Sequence, residues 1–403
     1  MWPILIPLTD RLAAQDQLMT STEIGLQQHT YPHHDFTRLP IRPVAGATGR
    51  EVVVQIPFPG REVSAKAWLA QVGRVPLILL DTDIHQNDPS DRPISSILYV
   101  RGRDMRLAQE LVLGIGGVRV LEELGIEPEV WHLNEGHSAL LQFERMRQAA
   151  QARDLDLAGA IEAVKGSTVF TTHTPVPAGN EVFERGLVSK YLAPWREALG
   201  ASEQDILTLG SRDGHGGSQE PFNLTALAIR TSRSTNAVSR LHGEVSNDMW
   251  RHLFEGAGPD AQPVTSVTNG VHVSTWLGME TLEVFNRHLG SGWQERGFAA
   301  WDPDKIVEIP DEEIWTAHLI QKRRLAHFVR RSVRNQFTRH GHGPDELRQL
   351  EAWLHEDHFT IGFARRFATY KRADLLFRDI HRLRQLVLCL LYTSDAADDV
   401  STV

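Results

Sequence analysis

The sequence predicts an α/β protein built on buried parallel strands, and two observations carry that expectation. Short continuous apolar runs recur along the chain, each closing on polar residues, and between them lie stretches with the three-to-four-residue spacing of amphipathic helices. No internal repeat of roughly 20 to 50 residues and no low-complexity tract is present, which sets solenoids and propellers aside.

Taken in order, Val52–Ile56 and Val63–Ala70 are β-rich and separated by the turn signal Pro57-Phe58-Pro59-Gly60. They are expected to form an antiparallel hairpin at an edge or in an insertion. Val75–Leu80 then ends at Asp81-Thr82-Asp83, Val130–Leu133 at Asn134-Glu135, and Val169–Thr171 at Thr172-His173-Thr174. Val264–Val267 leads into Thr268-Asn269-Gly270, and Phe359–Ala364 into Arg365-Arg366. Functional residues gather at the carboxyl ends of such strands, so these loops are expected to share one crevice. Asn236–Trp250 is a helix candidate with Val238, Leu241, Val245 and Met249 on one side. Trp315, Leu319, Ala326, Val329, Val333 and Phe337 mark one face of a long amphipathic helix opened by Pro310-Asp311. Its other side carries Lys322, Arg323, Arg324, Arg330, Arg331 and Arg334 and reads as a solvated face. A further helical pattern covers Ala373–Leu386.

With 403 residues the chain is long enough for two to three domains and a sizeable core. Forty-two basic against 51 acidic residues give a net charge of −9, which leaves no global basic field to drive nucleic-acid binding. The single cysteine, Cys389, excludes an internal disulfide framework and cysteine-based metal clusters, and fits a reducing cytoplasm. No apolar run reaches the roughly 20 residues of a membrane helix, so a membrane partner is not expected.

Four motifs carry chemistry. His132-Leu133-Asn134-Glu135-Gly136-His137 places two imidazoles and a carboxylate after a strand, but the histidines are five apart with a glycine between them. That spacing fails the metalloprotease pattern, so no metal is expected. A polar loop in which Glu135 orients a neighbour, or an ordinary satisfied cluster, fits better. Thr171–Gly179 sets hydroxyls around His173 and stiffens the loop with Pro175 and Pro177, which suits the presentation of donors to a polyol or a plain structural turn. Asn269-Gly270 is a turn dipeptide whose amide could also meet a sugar hydroxyl. Arg365–Arg372 follows a strand and opens a helix, offering guanidinium and ammonium groups to an anion such as phosphate. By contrast, Gly114-Ile115-Gly116-Gly117 follows a helical pattern and has Arg119 where a third glycine would stand, so it is not a dinucleotide fingerprint.

Together these strings resemble the α-glucan phosphorylases of glycogen, starch and maltodextrin, from about Arg38 to Leu386. The carriers are Leu79–Asp83, Arg106–Glu110 with Leu113–Gly117, Trp131–Ser138, Phe170–Gly179, Phe222–Thr225, Asn236–Trp250, Thr268–Trp276 and Gly362–Asp379, in one order. The resemblance implies the two-Rossmann-domain glycosyltransferase fold, GT-B. Residues 1–355 would be an incomplete N-terminal glucan-binding and catalytic domain, 356–387 the first strand and helix of the C-terminal domain, and 388–403 a non-native read-through tail. It implies a homodimeric cytoplasmic enzyme that cleaves the non-reducing end of an α-1,4-glucan with inorganic phosphate, giving α-glucose 1-phosphate with retained configuration. Pyridoxal 5′-phosphate would contribute its phosphate group, which explains the lack of a hydrolase-type carboxylate pair.

By the same resemblance His173 contacts the terminal glucose and Asn269 its 6-hydroxyl. Glu135 and His137 support the cleft, and Arg366 and Lys371 bind substrate phosphate beside the cofactor phosphate. The family's Schiff-base lysine stands in Gly-Met-Lys, which occurs nowhere in this sequence, and its N-terminal glycine-rich loop is expected upstream of Met1. The expectation is therefore a truncated chain that is inactive by itself. Two alternatives remain: a non-catalytic glucan-binding module using the ten tryptophans, and a metal-dependent hydrolase using His132, Glu135 and His137.

Overall fold

The computed structural model describes residues 4–7, 39–96, 102–176, 180–212, 220–254, 261–290, 292–294, 303–352, 354–355, 360–362 and 372–386. The chain divides into two compact units. One holds residues 25–270 together with the amino terminus, and the other is formed chiefly by residues 271–403.

The first unit opens with a mixed five-stranded sheet: β1 (Ile4–Pro7), β2 (Ile41–Pro43), β3 (Val53–Phe58), β4 (Arg61–Val72) and β5 (Val75–Asp81). The anticipated hairpin is β3–β4, paired from Val53↔Lys66 to Phe58↔Arg61, with Gly60 turning at φ 75° as a glycine readily can. Its position differs from the expectation. Strand β4 is long enough to pair β5 on one side and both β2 and β3 on the other, so it lies inside the sheet rather than at its edge. Strand β5 runs parallel only to β1.

Behind this sheet, α1 (Arg103–Leu111) and α2 (Gly117–Glu123) form one continuous rod through a π-helical turn at Val112–Gly116. This is the Gly114-Ile115-Gly116-Gly117 string, and its role is close packing. A Cβ on Gly114 would stand 2.6 Å from the backbone nitrogen of Leu141, and backbone cannot swing aside. Gly114→Ala is therefore expected to cost about 1–3 kcal/mol as an overpacked contact, read as a lowered urea midpoint.

The remainder of this unit is a second sheet, all parallel: β6 (Trp131–Asn134), β7 (Thr168–Thr172), β10 (Ser234–Ala237) and β11 (Val264–Ser266), in the order β11-β10-β7-β6. Between β6 and β7 run α3 (Leu141–Arg153) and α4 (Leu157–Lys165). Between β7 and β10 lie α5 (Arg185–Ala198), α6 (Glu203–Leu209), α7 (Leu224–Arg230) and the two-stranded pair β8 (Val182–Phe183) with β9 (Phe222–Asn223). Strands β6, β7 and β11 fall on the expected runs, whereas β10 was not anticipated. Its sequence, Ser-Thr-Asn-Ala, is polar, and the helix proposed from Asn236 starts instead at Arg240, capped by Ser239. One continuous core joins the helices to both sheets, with Leu107, Ile115, Leu133, Phe143, Phe170 and Trp195 fully or almost fully buried.

In the second unit, α10 (Met279–Leu289), preceded by a short α9 (Val273–Trp276) and followed by a short α11 (Pro303–Val307), lies against the 29-residue helix α12 (Asp311–Arg339). The contact is fixed by Val284, Ile309 and Ala317 and by an Arg324–Glu280 pair at 2.7 Å. Asp311, Glu312 and Glu313 open the long helix, where acidic groups complement its dipole. Of the six positions expected to form its apolar face only Ala326 is buried, and Trp315 is 60% exposed. Among the described residues no helix is long and apolar enough to cross a membrane.

Candidate functional site

The carboxyl ends of β6, β7 and β10 carry a connected set of polar side chains. Strand β6 gives way at Glu135, which adopts φ 64°, a left-handed value uncommon for a residue with a Cβ. The backbone N–H of Glu135 donates to Thr171 O at 2.9 Å. One oxygen of its carboxylate, Oε1, accepts from the backbone N–H of His173 at 2.6 Å and from the Thr174 hydroxyl at 2.7 Å. Glu135 thus clamps the loop that leaves β7, and the imidazole of His173 projects from a backbone held at a fixed point. Charge-assisted bonds of this length are stronger than neutral ones, so the clamp is stiff.

Beneath the clamp, a chain of hydrogen bonds crosses three strands. His132 Nε2 lies 2.7 Å from Thr171 Oγ1, and the same hydroxyl donates to Asn236 Oδ1 at 2.8 Å. Because the hydroxyl has one proton and gives it to Asn236, it must accept from His132, which fixes the Nε2–H tautomer. Burial, and the proximity of His173, hold the His132 imidazole below its ordinary pKa, in keeping with a neutral ring. The unforeseen strand β10 is what supplies Asn236.

Past the end of β10 stands His242, on the first turn of α8 (Arg240–Trp250). Ser239 caps that helix by accepting from the His242 backbone N–H at 3.2 Å. The imidazole Nδ1 accepts from Val238 N at 3.4 Å. Burial lowers its pKa against the opposing influence of the Thr174 backbone and the Glu135 charge, so this buried ring also belongs to the cluster. Sequence reasoning did not single out His242; the signal available was a serine cap followed three residues later by a histidine. The Asn269 loop reaches the same strand end, with its backbone N–H donating to Val238 O at 3.2 Å and its residue exposed.

His137 takes a different direction. Its Nδ1 lies 2.9 Å from Arg106 Nη2 and 3.5 Å from Glu110 Oε1. Arg106 in turn pairs with Glu110 at 3.2 Å and Glu181 at 3.6 Å. The two contacts at Nδ1 ask for opposite protonation states: Arg106 needs an acceptor there, Glu110 a donor. Burial raises the pKa of Glu110, which is only 1% exposed. For His137 burial works downward, but the hydrogen bond and charge of Glu110 outweigh it and raise its pKa. Both shifts favour the protonated forms of the two groups.

Both folded pKa values exceed their reference values of 4.5 and 6.5, so the stability this pair contributes is complete below the reference values and lost as pH rises through the folded ones. In a comparison of urea midpoints, the wild-type chain is expected to weaken, relative to a Glu110→Gln/His137→Gln double variant, as pH rises above the two reference values. A difference that stays constant with pH would contradict proton uptake by these groups on folding.

The structure thus brings together Glu135, the His173 backbone and Thr174, sets His242 beside them, and ties the Asn269 loop to the neighbouring strand. His137 stands in the Arg106–Glu110 network. Arg366 and Lys371 lie outside the described residues. As for a metal, His132, Glu135 and His137 face different partners, and among the described residues no group of three or more His, Cys, Asp or Glu side chains converges. What remains is a set of hydroxyl, imidazole and amide groups at parallel-strand ends, fit to receive a polyhydroxy ligand.

No protein-family model matches the chain. Individual relatives do. The chain is 42% identical over 363 residues to maltodextrin phosphorylase of Thermococcus litoralis, covering 90% of this chain and 42% of that protein. It is 37% identical over 379 residues to glycogen phosphorylase of Mycobacterium tuberculosis, covering 91% and 43%. With glycogen phosphorylase of Aquifex aeolicus the identity is 33% over 363 residues, covering 90% and 52%. The chain spans about half the length of these curated relatives. Fold and site define a mixed α/β protein with its polar groups gathered at parallel-strand ends. By its relatives, the chain belongs to the α-glucan phosphorylase family.

Proposed function

We propose that this chain is part of a GT-B glycosyltransferase that phosphorolyses α-1,4-glucans from their non-reducing ends, releasing α-glucose 1-phosphate. The observation that carries the reading is the Glu135 clamp on the His173 backbone, found in a chain whose relatives are named maltodextrin and glycogen phosphorylases. In this reading His173 meets the terminal glucose, and the exposed Asn269 amide exchanges hydrogen bonds with its 6-hydroxyl. Glu135 does not itself need to touch sugar. One of its oxygens already accepts two bonds, and its contribution is to hold the ring of His173 in place before substrate arrives, which removes an ordering cost from binding. His137 supports the cleft from the neighbouring Arg106–Glu110 network.

Inorganic phosphate is the proposed second substrate, with Arg366 and Lys371 as its receptors, and the enzyme is proposed to be a cytoplasmic homodimer. Pyridoxal phosphate, when bound in such enzymes, supplies a phosphate group for proton transfer. This chain offers it no family-type anchor. Gly-Met-Lys is missing from the 403 residues, and the clustered side chains at Glu135, His173, Thr174 and His242 include no lysine. We therefore route no step through the cofactor and propose that these 403 residues are inactive by themselves.

The test is production of glucose 1-phosphate from maltodextrin and phosphate, assayed in parallel for this chain and for a version completed with the C-terminal half of a relative. Product from the completed enzyme is expected and none from this chain. No product from either, with maltoheptaose still bound, would leave a glucan-binding module in its place.

A further inference from the structure

The amino-terminal ends of β6 and β7, opposite the Glu135 cluster, border a cavity of about 680 Å³. Its lining includes Trp131, Arg145, Arg147, Gln148, Arg153 and Ser167. Arg145 is the unusual member. It projects from α3 yet is only 8% exposed, and its guanidinium lies over the Trp131 ring at 4.6 Å from the centroid. Nη1 donates to Gln142 Oε1 at 2.8 Å and Thr168 Oγ1 at 2.6 Å, and Nη2 donates to Ser167 Oγ at 2.6 Å.

All three acceptors are neutral, and among the described residues Arg145 makes no ion pair. Its neighbour Arg147 is different, for it is neutralised by Glu144 at 2.8 Å. Two acids also line the cavity: Glu122, which accepts from Gln148 at 2.7 Å, and Glu127. Burial pulls the Arg145 pKa down to about 9, which still leaves it charged at neutral pH. A buried cation held only by neutral groups is a poor bargain for folding, since its desolvation is not repaid by an opposite charge. A guanidinium has five N–H groups, and the three bonds named leave two for a ligand.

We propose that this cavity is a binding site for a small organic oxyanion, carboxylate or phosphoryl, with Arg145 as its receptor. The fork of a guanidinium matches either group, and stacking on Trp131 holds the fork flat. The volume exceeds what a bare ion fills and lies in the range of small-molecule sites. The site is separate from the sugar crevice, because it uses the opposite ends of the same strands.

Trp131 is a built-in reporter. Benzoate, phenylphosphonate and the neutral control benzyl alcohol would be titrated at constant ionic strength, reading the emission change present in wild type and lost in Trp131→Phe. A saturable change with at least one anion and none with benzyl alcohol is expected, and whichever anion binds identifies the group recognised. Arg145→Met should raise the half-saturating concentration more than tenfold, with Arg145→Lys in between. Should Arg145→Met not fold, calorimetric titration of wild type and Arg145→Lys replaces it, with one site per chain expected in the wild type and weaker binding in the lysine variant. The proposal is overturned if wild type shows no saturable response, if benzyl alcohol binds equally, or if the arginine variants bind as wild type does.

Discussion

Glu144→Ala is expected to destabilise the first unit by about 3–5 kcal/mol, because it strips the counter-charge from a buried network. Glu144 is completely buried on α3. Its carboxylate accepts from Arg119 Nε at 3.0 Å, from Arg147 Nη2 at 2.8 Å and from the indole of Trp195 at 2.6 Å. Arg119 continues to the carbonyl of Gln55 on β3 at 2.5 Å, so one carboxylate ties two helices and the first sheet to α3. Burial would push its pKa up, but the bonds from Arg147, Arg119 and Trp195 prevail and hold it below the ordinary carboxylate range. A depressed pKa contributes stability that is present above the reference value of 4.5 and lost as pH falls through the folded one, opposite in sign to the Glu110–His137 pair. Urea titrations of wild type, Glu144→Ala and Glu144→Gln at pH 7 and pH 4 check both statements. The gap between them should shrink at the lower pH, and a gap that stays constant would mean the charge contributes nothing.

The second large effect falls on turnover. In the completed enzyme, Glu135→Ala is expected to lower kcat/KM for maltodextrin phosphorolysis by about 100-fold, the scale on which misplacing a substrate-positioning group acts. Both the His173 N–H and the Thr174 hydroxyl lose their acceptor in this variant. Glu135→Gln retains an acceptor oxygen and should recover a large part of the activity. That rescue separates clamping from charge: if glutamine were as damaging as alanine, the carboxylate would be acting on substrate by its charge. Circular dichroism of both variants should match wild type, since the clamp lies at the end of the sheet and outside the buried core.

The parts legible in the sequence were those whose signal is local. The β3–β4 hairpin was announced by Pro59-Gly60 between β-rich runs, and the strand ends at Glu135 and His173 by apolar runs stopping at polar residues. Strand β10 was invisible because Ser234-Thr235-Asn236-Ala237 owes its place to neighbours on both sides and has no apolar pattern of its own. His242 was missed for the same reason, as its partners come from the segments that follow β7 and β10. Arg145 sits among the polar residues of α3, where nothing in the spacing marks it as buried. The glycines at 114–117 were read as not binding a nucleotide, but their use in bringing α3 close to the π-turn depends on a contact that only the folded chain displays.

The strand order of the parallel sheet has a consequence for biosynthesis. From β6 through β7 and β10 to β11, position across the sheet follows position along the chain. A ribosome would therefore deliver each strand just when the preceding one offers a free edge, and no strand has to be threaded between two that are already paired. Such vectorial growth lets the amino-terminal part settle before the later strands emerge, which limits the time that unpaired edges spend exposed to other nascent chains.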